Sequence, residues 1–303
     1  MTAAAALWVA LLVDRLWGEP PAALHPVVAM GRWLGWAGRR LPQAPAAAFA
    51  AGALAWCAGA LAAGLLAAAL QWALLRWLPA WAAAAALGLA LKPLLAWRML
   101  RGEVLAVEQA LARSLDDGRA QLARLVSRDV ATLDESLVRE SAIESLAENL
   151  NDSVVAPLLW FVLLGLPGAA VYRFANTADA MWGYRGLRGG RDWEWAGKWA
   201  ARADDVLGWL PARITALLLC PPRAWARLPG EAGRTPSPNG GWPMAAMALR
   251  LGVRLRKPGV YALHAQGRAP QPADTARAAR LAGWAVAAAG ALGGVALLPA
   301  GGG

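Results

Sequence analysis

Apolar runs and polar segments alternate along this chain, and the length of the runs governs how the rest is read. Between Ala44 and Leu75 there are 32 consecutive positions without a charge, and roughly 20 apolar residues suffice to cross a bilayer core. A second run, 77–97, is broken only by Lys92 and by Pro79 and Pro93, and the two runs read together as a helical hairpin. Further apolar segments lie at 2–13, 154–172, 206–220 and 281–300, so the pattern predicts about four to six membrane-embedded segments. The expected fold class is all-α. It is a polytopic integral membrane protein with amphipathic cytoplasmic helices, taken as one domain over 1–303. The first run, MTAAAALWVALLV, has no basic leader and is followed by Asp14 and Arg15 rather than a small-residue cleavage site. It reads as a short anchoring helix, not a cleaved signal.

The polar segment 98–153 is helical by its spacing, with Leu100, Val104, Val107, Leu111 and Leu115 three and four apart. Asp116-Asp117-Gly118 is a turn signal, after which Leu122, Leu125 and Val126 resume the pattern. A second amphipathic helix is predicted to start at Asp134 as N-cap, with Leu137, Ile143, Leu146 and Leu150 on its apolar side. Segment 154–172, VVAPLLWFVLLGLPGAAVY, is long enough to span once, yet Gly165, Pro167 and Gly168 interrupt its middle. A re-entrant path that turns there is preferred, because both flanking segments carry residues suited to chemistry and irregular backbone at membrane depth is tolerated when buried in protein.

Composition agrees with a membrane protein: mean hydropathy is +0.37 and 17% of residues are charged. The net charge of +10 is dispersed between apolar runs rather than gathered with aromatics, which argues for positive-inside bias over nucleic acid. The 18 Trp fit membrane interfaces. Cys57 and Cys220 stand alone and only His25 and His264 occur, so neither a disulfide framework nor a structural zinc site is expected.

Four groups carry candidate chemistry. In the first, Glu140, Glu144 and Glu148 recur at i, i+4 and i+8, stacking three carboxylates on one helical stripe, and Asp152 follows four residues on. Like charges at that spacing repel, so something positive should offset them. Arg128 and Arg139 are one solution, a divalent cation another, and a solvated helix face the plain alternative. Asn149, Asn151, Asp152 and Ser153 add a polar run beside an apolar segment that needs partners. The second group, 175–185, holds Asn176 and Asp179 three apart, with a helix cap and turn as the bland alternative. The third, 201–214, places Arg202, Asp204, Asp205 and Arg213 around an apolar beginning, with Asp204 also a natural N-cap. The fourth, TPSPNGGWP at 235–243, with Ser237 and Asn239, opens the helical pattern MAAMALRLGVRL and would present backbone N–H groups to an anion. Near the start, Asp14 and Glu19 precede His25-Pro26, which most simply fixes a turn. Phosphate-loop, dinucleotide, zinc-protease and nucleophile-elbow motifs are absent.

Taken together and in order, DRLWGEPPAALHPVVAMGRW at 14–33, SRDVATLDESLVRESAIESLAENLNDSVVAPL at 127–158, NTADAMWGYR at 176–185, ARADDVLGWLPAR at 201–213 and SPNGGWPMAAMA at 237–248 resemble the cobalamin biosynthesis CobD/CbiB family, the adenosylcobinamide-phosphate synthases. The resemblance runs from about residue 14 to about residue 283. It implies an enzyme of the cell inner membrane with its active site facing the cytoplasm. The implied reaction joins adenosylcobyric acid to (R)-1-aminopropan-2-ol O-phosphate or a related amino alcohol, consuming ATP with Mg²⁺ and forming an amide. It also implies action beside other membrane enzymes of nucleotide-loop assembly, and an oligomer is compatible with it.

By the same resemblance, Glu144, Glu148 and Asp152 would hold Mg²⁺ or accept the amine proton, with Asp179 also catalytic. Arg128, Arg202 and Arg213 would bind phosphate; Asn149, Asn176, Asp204 and Asp205 would orient substrates, and Ser237 and Asn239 would contact a phosphate or a corrinoid amide. Family members generally have Asn where this chain has Gly208, so that position is given no role. The Arg-rich stretch 250–256 also departs from the family's small-residue pattern. The runner-up reading is a transporter or channel component for a small charged solute. Against it, the acids lie mainly between the apolar runs and no internal repeat is visible.

Overall fold

The computed structural model describes residues 1–298; Pro299 and Ala300, the end of the apolar run 281–300, lie outside the described residues. The helices are α1 Thr2–Trp17, α2 Pro26–Gly38, α3 Pro45–Trp77, α4 Ala80–Leu91, α5 Trp97–Leu111, α6 Leu115–Leu122, α7 Glu135–Leu150, α8 Ala156–Trp182, α9 Lys198–Leu219, α10 Leu228–Ala232, α11 Gly241–Leu251 and α12 Pro272–Ala296. Two small antiparallel hairpins, β1 Leu187–Arg188 with β2 Arg191–Asp192 and β3 Leu255–Lys257 with β4 Tyr261–Leu263, are the β-structure among the described residues. The protein is an all-α polytopic membrane protein, with four stretches long and apolar enough to cross a bilayer: Pro45–Trp77, Ala80–Leu111, Glu135–Trp182 and Pro272–Ala296. The apolar runs 2–13 and 206–220 lie in α1 and α9, which are not among those four.

The chain gathers into two compact units. Among the described residues the first comprises 1–96, 156–208 and 290–298; the second comprises 97–155 and 209–289. In the first unit, α3 turns only small residues inward, Ala48, Gly52, Gly59, Ala60 and Ala67, and leaves Leu54, Leu61, Leu65 and Leu66 exposed. A helix that hides Ala and Gly while presenting Leu is built for lipid outside and close helix contact inside. Its chief partner is α8, whereas α4 packs chiefly on α1, so the expected α3–α4 hairpin is adjacent in sequence but each helix finds its main packing elsewhere. The core of this unit gathers Leu34, Ala60, Phe174, Ala178 and Trp182.

Within α8 the helix breaks at Gly165, with φ 69° and ψ −159°. A Cβ on Gly168 would lie 2.4 Å from the Trp160 carbonyl oxygen, although eight residues of straight helix separate such positions by about 12 Å. The chain therefore bends sharply here, where the sequence places the interruption by Gly165, Pro167 and Gly168. Gln71 of α3 holds the bend, its Oε1 accepting from the Leu166 N–H at 2.7 Å.

In the second unit, α5 packs on α6 and α7, and α11 and β3 pack on α7. Leu100, Val104, Val107 and Leu111 are buried on α5 as their spacing predicts. The turn expected at Asp116-Asp117-Gly118 lies earlier. Ser114 caps α6 by accepting from the Asp117 N–H at 3.0 Å, so the two aspartates become the acidic first turn that a helix dipole favours. Gly118 is small because Leu111 packs against it. Likewise the helical pattern from Met244 stops short. Gly252 adopts φ 71° and ψ 28° as a left-handed cap, and the Arg-rich residues that follow form β3 instead of more helix.

Candidate active site

The acidic helix α7 begins where the sequence predicts, with Asp134 accepting from the Leu137 N–H at 2.8 Å. Its carboxylate stripe is not a solvated face. Glu140 is fully buried and Glu144 is 3% exposed, and each has its own arginine. Arg256 of β3 grips Glu140 with Nη2 at 2.8 Å and Nε at 3.0 Å, and Arg254 Nε stands at 3.6 Å. Arg128 Nη2 donates to Glu144 Oε2 at 2.8 Å and to the Ser141 hydroxyl at 2.6 Å. Arg139, an expected partner of the stripe, turns instead to Glu108 and Glu135.

Glu148 is the exception. It is half-buried and accepts no hydrogen bond from the described residues, while Arg128 and Lys257 supply the positive charge in its surroundings. Arg128 in turn has a second amino group, Nη1, that is buried and without a hydrogen-bond partner among the described residues. Opposite them, β4 carries Tyr261, paired with Lys257 in the β3–β4 register. Burial and the nearby Glu144 and Glu148 carboxylates push its phenol well above the ordinary range, so it remains a neutral donor.

The head of α11 closes the site. Ser237 Oγ accepts from the N–H groups of Asn239 at 3.2 Å and Gly240 at 3.0 Å, an arrangement that organises the loop. Asn239 Oδ1 accepts from Arg213 Nη1 at 2.8 Å, and the Arg213 guanidinium lies between the Trp209 and Trp242 rings at 4.5 and 4.6 Å. Glu148 stands close to this helix start: a Cβ on Gly240 would lie 2.8 Å from Glu148 Oε1.

After Leu150 the backbone passes through a π-helical turn, Asn151–Val155, a form that concentrates at functional sites. There Thr215 Oγ1 donates to Asn151 Oδ1 at 3.0 Å, and Asn151 Nδ2 donates to Asp152 Oδ1 at 2.8 Å. Asn149 is spent on its own helix, donating to the Ser145 carbonyl at 2.9 Å. Among the described residues no three His, Cys, Asp or Glu side chains are gathered as a metal cage. Of the expected set Glu144, Glu148 and Asp152, Glu144 is paired with Arg128 through Oε2, while its Oε1 is buried without a hydrogen-bond partner among the described residues. Glu148 and Asp152 are carboxylates of the kind that magnesium takes one or two of, together with substrate phosphates and water.

The other expected residues belong to the first unit. Asn176 and Asp179 lie in the last turns of α8, which runs on to Trp182, and not at a cap. Asn176 accepts from Arg173 Nη1 at 3.2 Å. Asp204 and Asp205 are half-buried inside α9, which already starts at Lys198, so Asp204 is not its N-cap. Burial raises the Asp205 carboxyl, with Arg185 acting in the opposite sense. Arg202 is exposed. Sequence reasoning missed Tyr261 and the pairing of Arg256, while Asn151, read as part of a polar run that needs partners, finds them in Thr215 and Asp152. The Lys257-Pro258-Gly259 turn between apolar residues was a signal for the hairpin that carries the first two.

The model of the CobD/Cbib protein family matches residues 7–289. The chain belongs to this family. It is 39% identical to the probable cobalamin biosynthesis protein CobD of Pyrococcus abyssi over 278 residues, covering 90% of this chain and 89% of that one. It is 40% identical to the probable cobalamin biosynthesis protein CobD of Thermococcus kodakarensis, covering 92% of each. It is also 40% identical to the cobalamin biosynthesis protein CobD of Chromobacterium violaceum, covering 93% of this chain and 92% of that one. No solved structure matches the chain. This CobD/Cbib chain therefore carries its buried carboxylate stripe within the matched region.

Proposed function

We propose that this protein is a cobalamin biosynthesis enzyme, an adenosylcobinamide-phosphate synthase that forms an amide between adenosylcobyric acid and (R)-1-aminopropan-2-ol O-phosphate or a related amino alcohol. The observation that carries this reading is Glu148, the one carboxylate of the stripe without an ion pair among the described residues, with the half-buried Arg128 in its surroundings, whose Nη1 is buried without a hydrogen-bond partner among them. A stripe whose other members are neutralised leaves this group for chemistry.

A carboxylate is a poor acyl donor because its charge repels an incoming amine. In the proposed reaction the corrinoid carboxylate oxygen attacks the γ-phosphorus of ATP and ADP leaves, giving an acyl phosphate. The amine nitrogen then attacks the carbonyl carbon, phosphate departs, and the ammonium proton passes to a base. Glu148, which has no arginine of its own, would serve as that base. Arg128 Nη1 would bind a phosphate oxygen, and the neutral Tyr261 phenol would donate to developing negative charge. Mg²⁺, held by Asp152 together with substrate phosphates and water, would supply charge neutralisation on the phosphates. The inner membrane, a cytoplasm-facing site and association with other membrane enzymes of nucleotide-loop assembly complete the proposal.

The test is an assay of detergent-purified protein with adenosylcobyric acid, ATP, Mg²⁺ and aminopropanol phosphate, with the amide product followed by mass. Product that requires ATP and is lost in Glu148→Gln supports the reading. Folded protein that gives no product with any candidate amine overturns it and favours transport of a charged solute.

A further inference from the structure

The first unit contains a cavity of about 490 Å³ with a marked charge, lined by Arg39, Gln43, Tyr184, Arg188, Arg191 and Trp193 among others. No acidic residue lines it among the described residues. One wall is the β1–β2 hairpin, whose two-residue turn, Gly189-Gly190, has φ 58° and 77°. Only a turn of this left-handed kind brings Arg188 and Arg191 back opposite each other. Arg191 pins the hairpin to the end of α2, donating through Nη1 to the Gly38 carbonyl at 2.9 Å and through Nη2 to the Leu41 and Pro42 carbonyls. Its Nε is buried without a hydrogen-bond partner.

Arg188 rests on the Tyr184 ring at 3.7 Å, and the Arg39 side chain is exposed with no hydrogen bond or ion pair among the described residues. The acid nearest in sequence, Asp192, accepts from the Glu194 N–H instead. Three guanidinium groups thus share one concavity with no carboxylate to neutralise them. An anion is the missing complement.

The position of the cavity identifies the anion. Gln43 stands two residues before Pro45, where α3 begins its 33-residue course as the most lipid-exposed apolar helix. The arginines therefore sit at the polar end of a membrane span, accompanied by Trp36, which carries Arg40 over its ring at 4.3 Å, and by Trp193. Tryptophan and arginine at that depth mark the headgroup layer, and basic pockets there take lipid phosphates. We propose that this cavity binds the phosphate headgroup of an anionic membrane lipid, with Arg39 and Arg188 as the donors to the phosphate and Arg191 holding the hairpin in place.

The experiment is thermal unfolding of the full chain in non-ionic detergent, titrated separately with dioctanoyl phosphatidylglycerol, dioctanoyl phosphatidylcholine, inorganic phosphate and ATP. Phosphatidylglycerol should raise the unfolding midpoint in a concentration-dependent way, as a ligand of the folded state does, and phosphatidylcholine should not. In the Arg39→Ala/Arg188→Ala double variant, both positions being exposed, the shift should fall by at least half. An equal shift in the variant, or an equal effect of phosphatidylcholine, overturns the proposal. So does stabilisation by phosphate or ATP through the same arginines without any by phosphatidylglycerol, which would make this a site for a soluble phosphate. Should the variant not fold, native mass spectrometry of the unaltered protein decides: preferential retention of phosphatidylglycerol over phosphatidylcholine supports the site and equal retention overturns it.

Discussion

Gly240 leaves room for the carboxylate of Glu148: a side-chain carbon at position 240 would lie 2.8 Å from Glu148 Oε1. The glycine has φ −56° and ψ −31°, a conformation any residue adopts, so its smallness serves the carboxylate rather than the backbone. The start of α11 thereby fixes where the unpaired acid of α7 can stand.

Gly240→Ala should leave the fold intact, since the clash is with the mobile end of a side chain, and should shift stability by less than about 1 kcal/mol. The displaced carboxylate should lower amide formation by up to about 100-fold, the scale of an ångström-sized misplacement in an active site. The check is turnover against unfolding midpoint in one preparation. Full activity in a folded Gly240→Ala protein would remove Glu148 from the chemistry.

Arg256→Ala should act on stability instead. Glu140 is fully buried with Arg256 as its bidentate partner, and removing one member of a buried pair costs about 3–5 kcal/mol. Arg256 is 35% exposed and Arg254 remains at 3.6 Å, so solvent and the second arginine should hold the loss to the lower end, about 3 kcal/mol. Arg256→Lys should recover only part, because a lysine cannot reproduce the two parallel bonds. Denaturant titration in micelles measures both.

Lys92 interrupts an apolar run in the sequence, and the fold shows what it balances: its Nζ lies 2.9 Å from Glu19 Oε2 and 3.4 Å from Asp14 Oδ1. Glu19 also meets His25 at 3.1 Å, whose Nδ1 accepts from the Val27 N–H, so His25 caps α2 as its proline neighbour suggested. Lys92→Met should leave two carboxylates facing each other in an apolar setting and cost about 3–5 kcal/mol. Adding Asp14→Asn and Glu19→Gln to it should restore much of the yield of folded protein in membranes. No recovery would mean that the lysine is needed for its own contacts.

What could be read from the sequence follows from how local the signals are. The span of α3, the cap at Asp134 and the stacked stripe Glu140, Glu144 and Glu148 depend on neighbours within a few turns, and spacing exposes them. Which arginine meets which acid depends on residues far apart in the chain. Arg256 reaches Glu140 across 116 positions, and no periodicity encodes that pairing. The same holds for Tyr261 and Lys92, single residues whose partners come from other elements. The turn expected at Asp116-Asp117-Gly118 was misplaced because acids and glycine also suit a capped first helical turn. Only the serine just before them, bonded to the Asp117 N–H, decides between the two.

Gly165 should be sensitive to substitution for a conformational reason. Its φ of 69° with ψ of −159° belongs to a region open essentially to glycine alone, and a Cβ there would lie 2.5 Å from Gln71 Oε1. Gly165→Ala should therefore carry backbone strain of about 1–3 kcal/mol and also push away the acceptor of the Leu166 N–H. Gln71→Leu removes that acceptor without strain and should cost about 1–3 kcal/mol, the penalty of one buried unsatisfied donor. If the bend is held by both, each variant should lower the unfolding midpoint in micelles, and the pair together should lose less than the sum, because alanine already disturbs the glutamine. An unchanged midpoint in Gly165→Ala would mean that α8 can run straight through this position, and the re-entrant path of 154–172 would have to be abandoned.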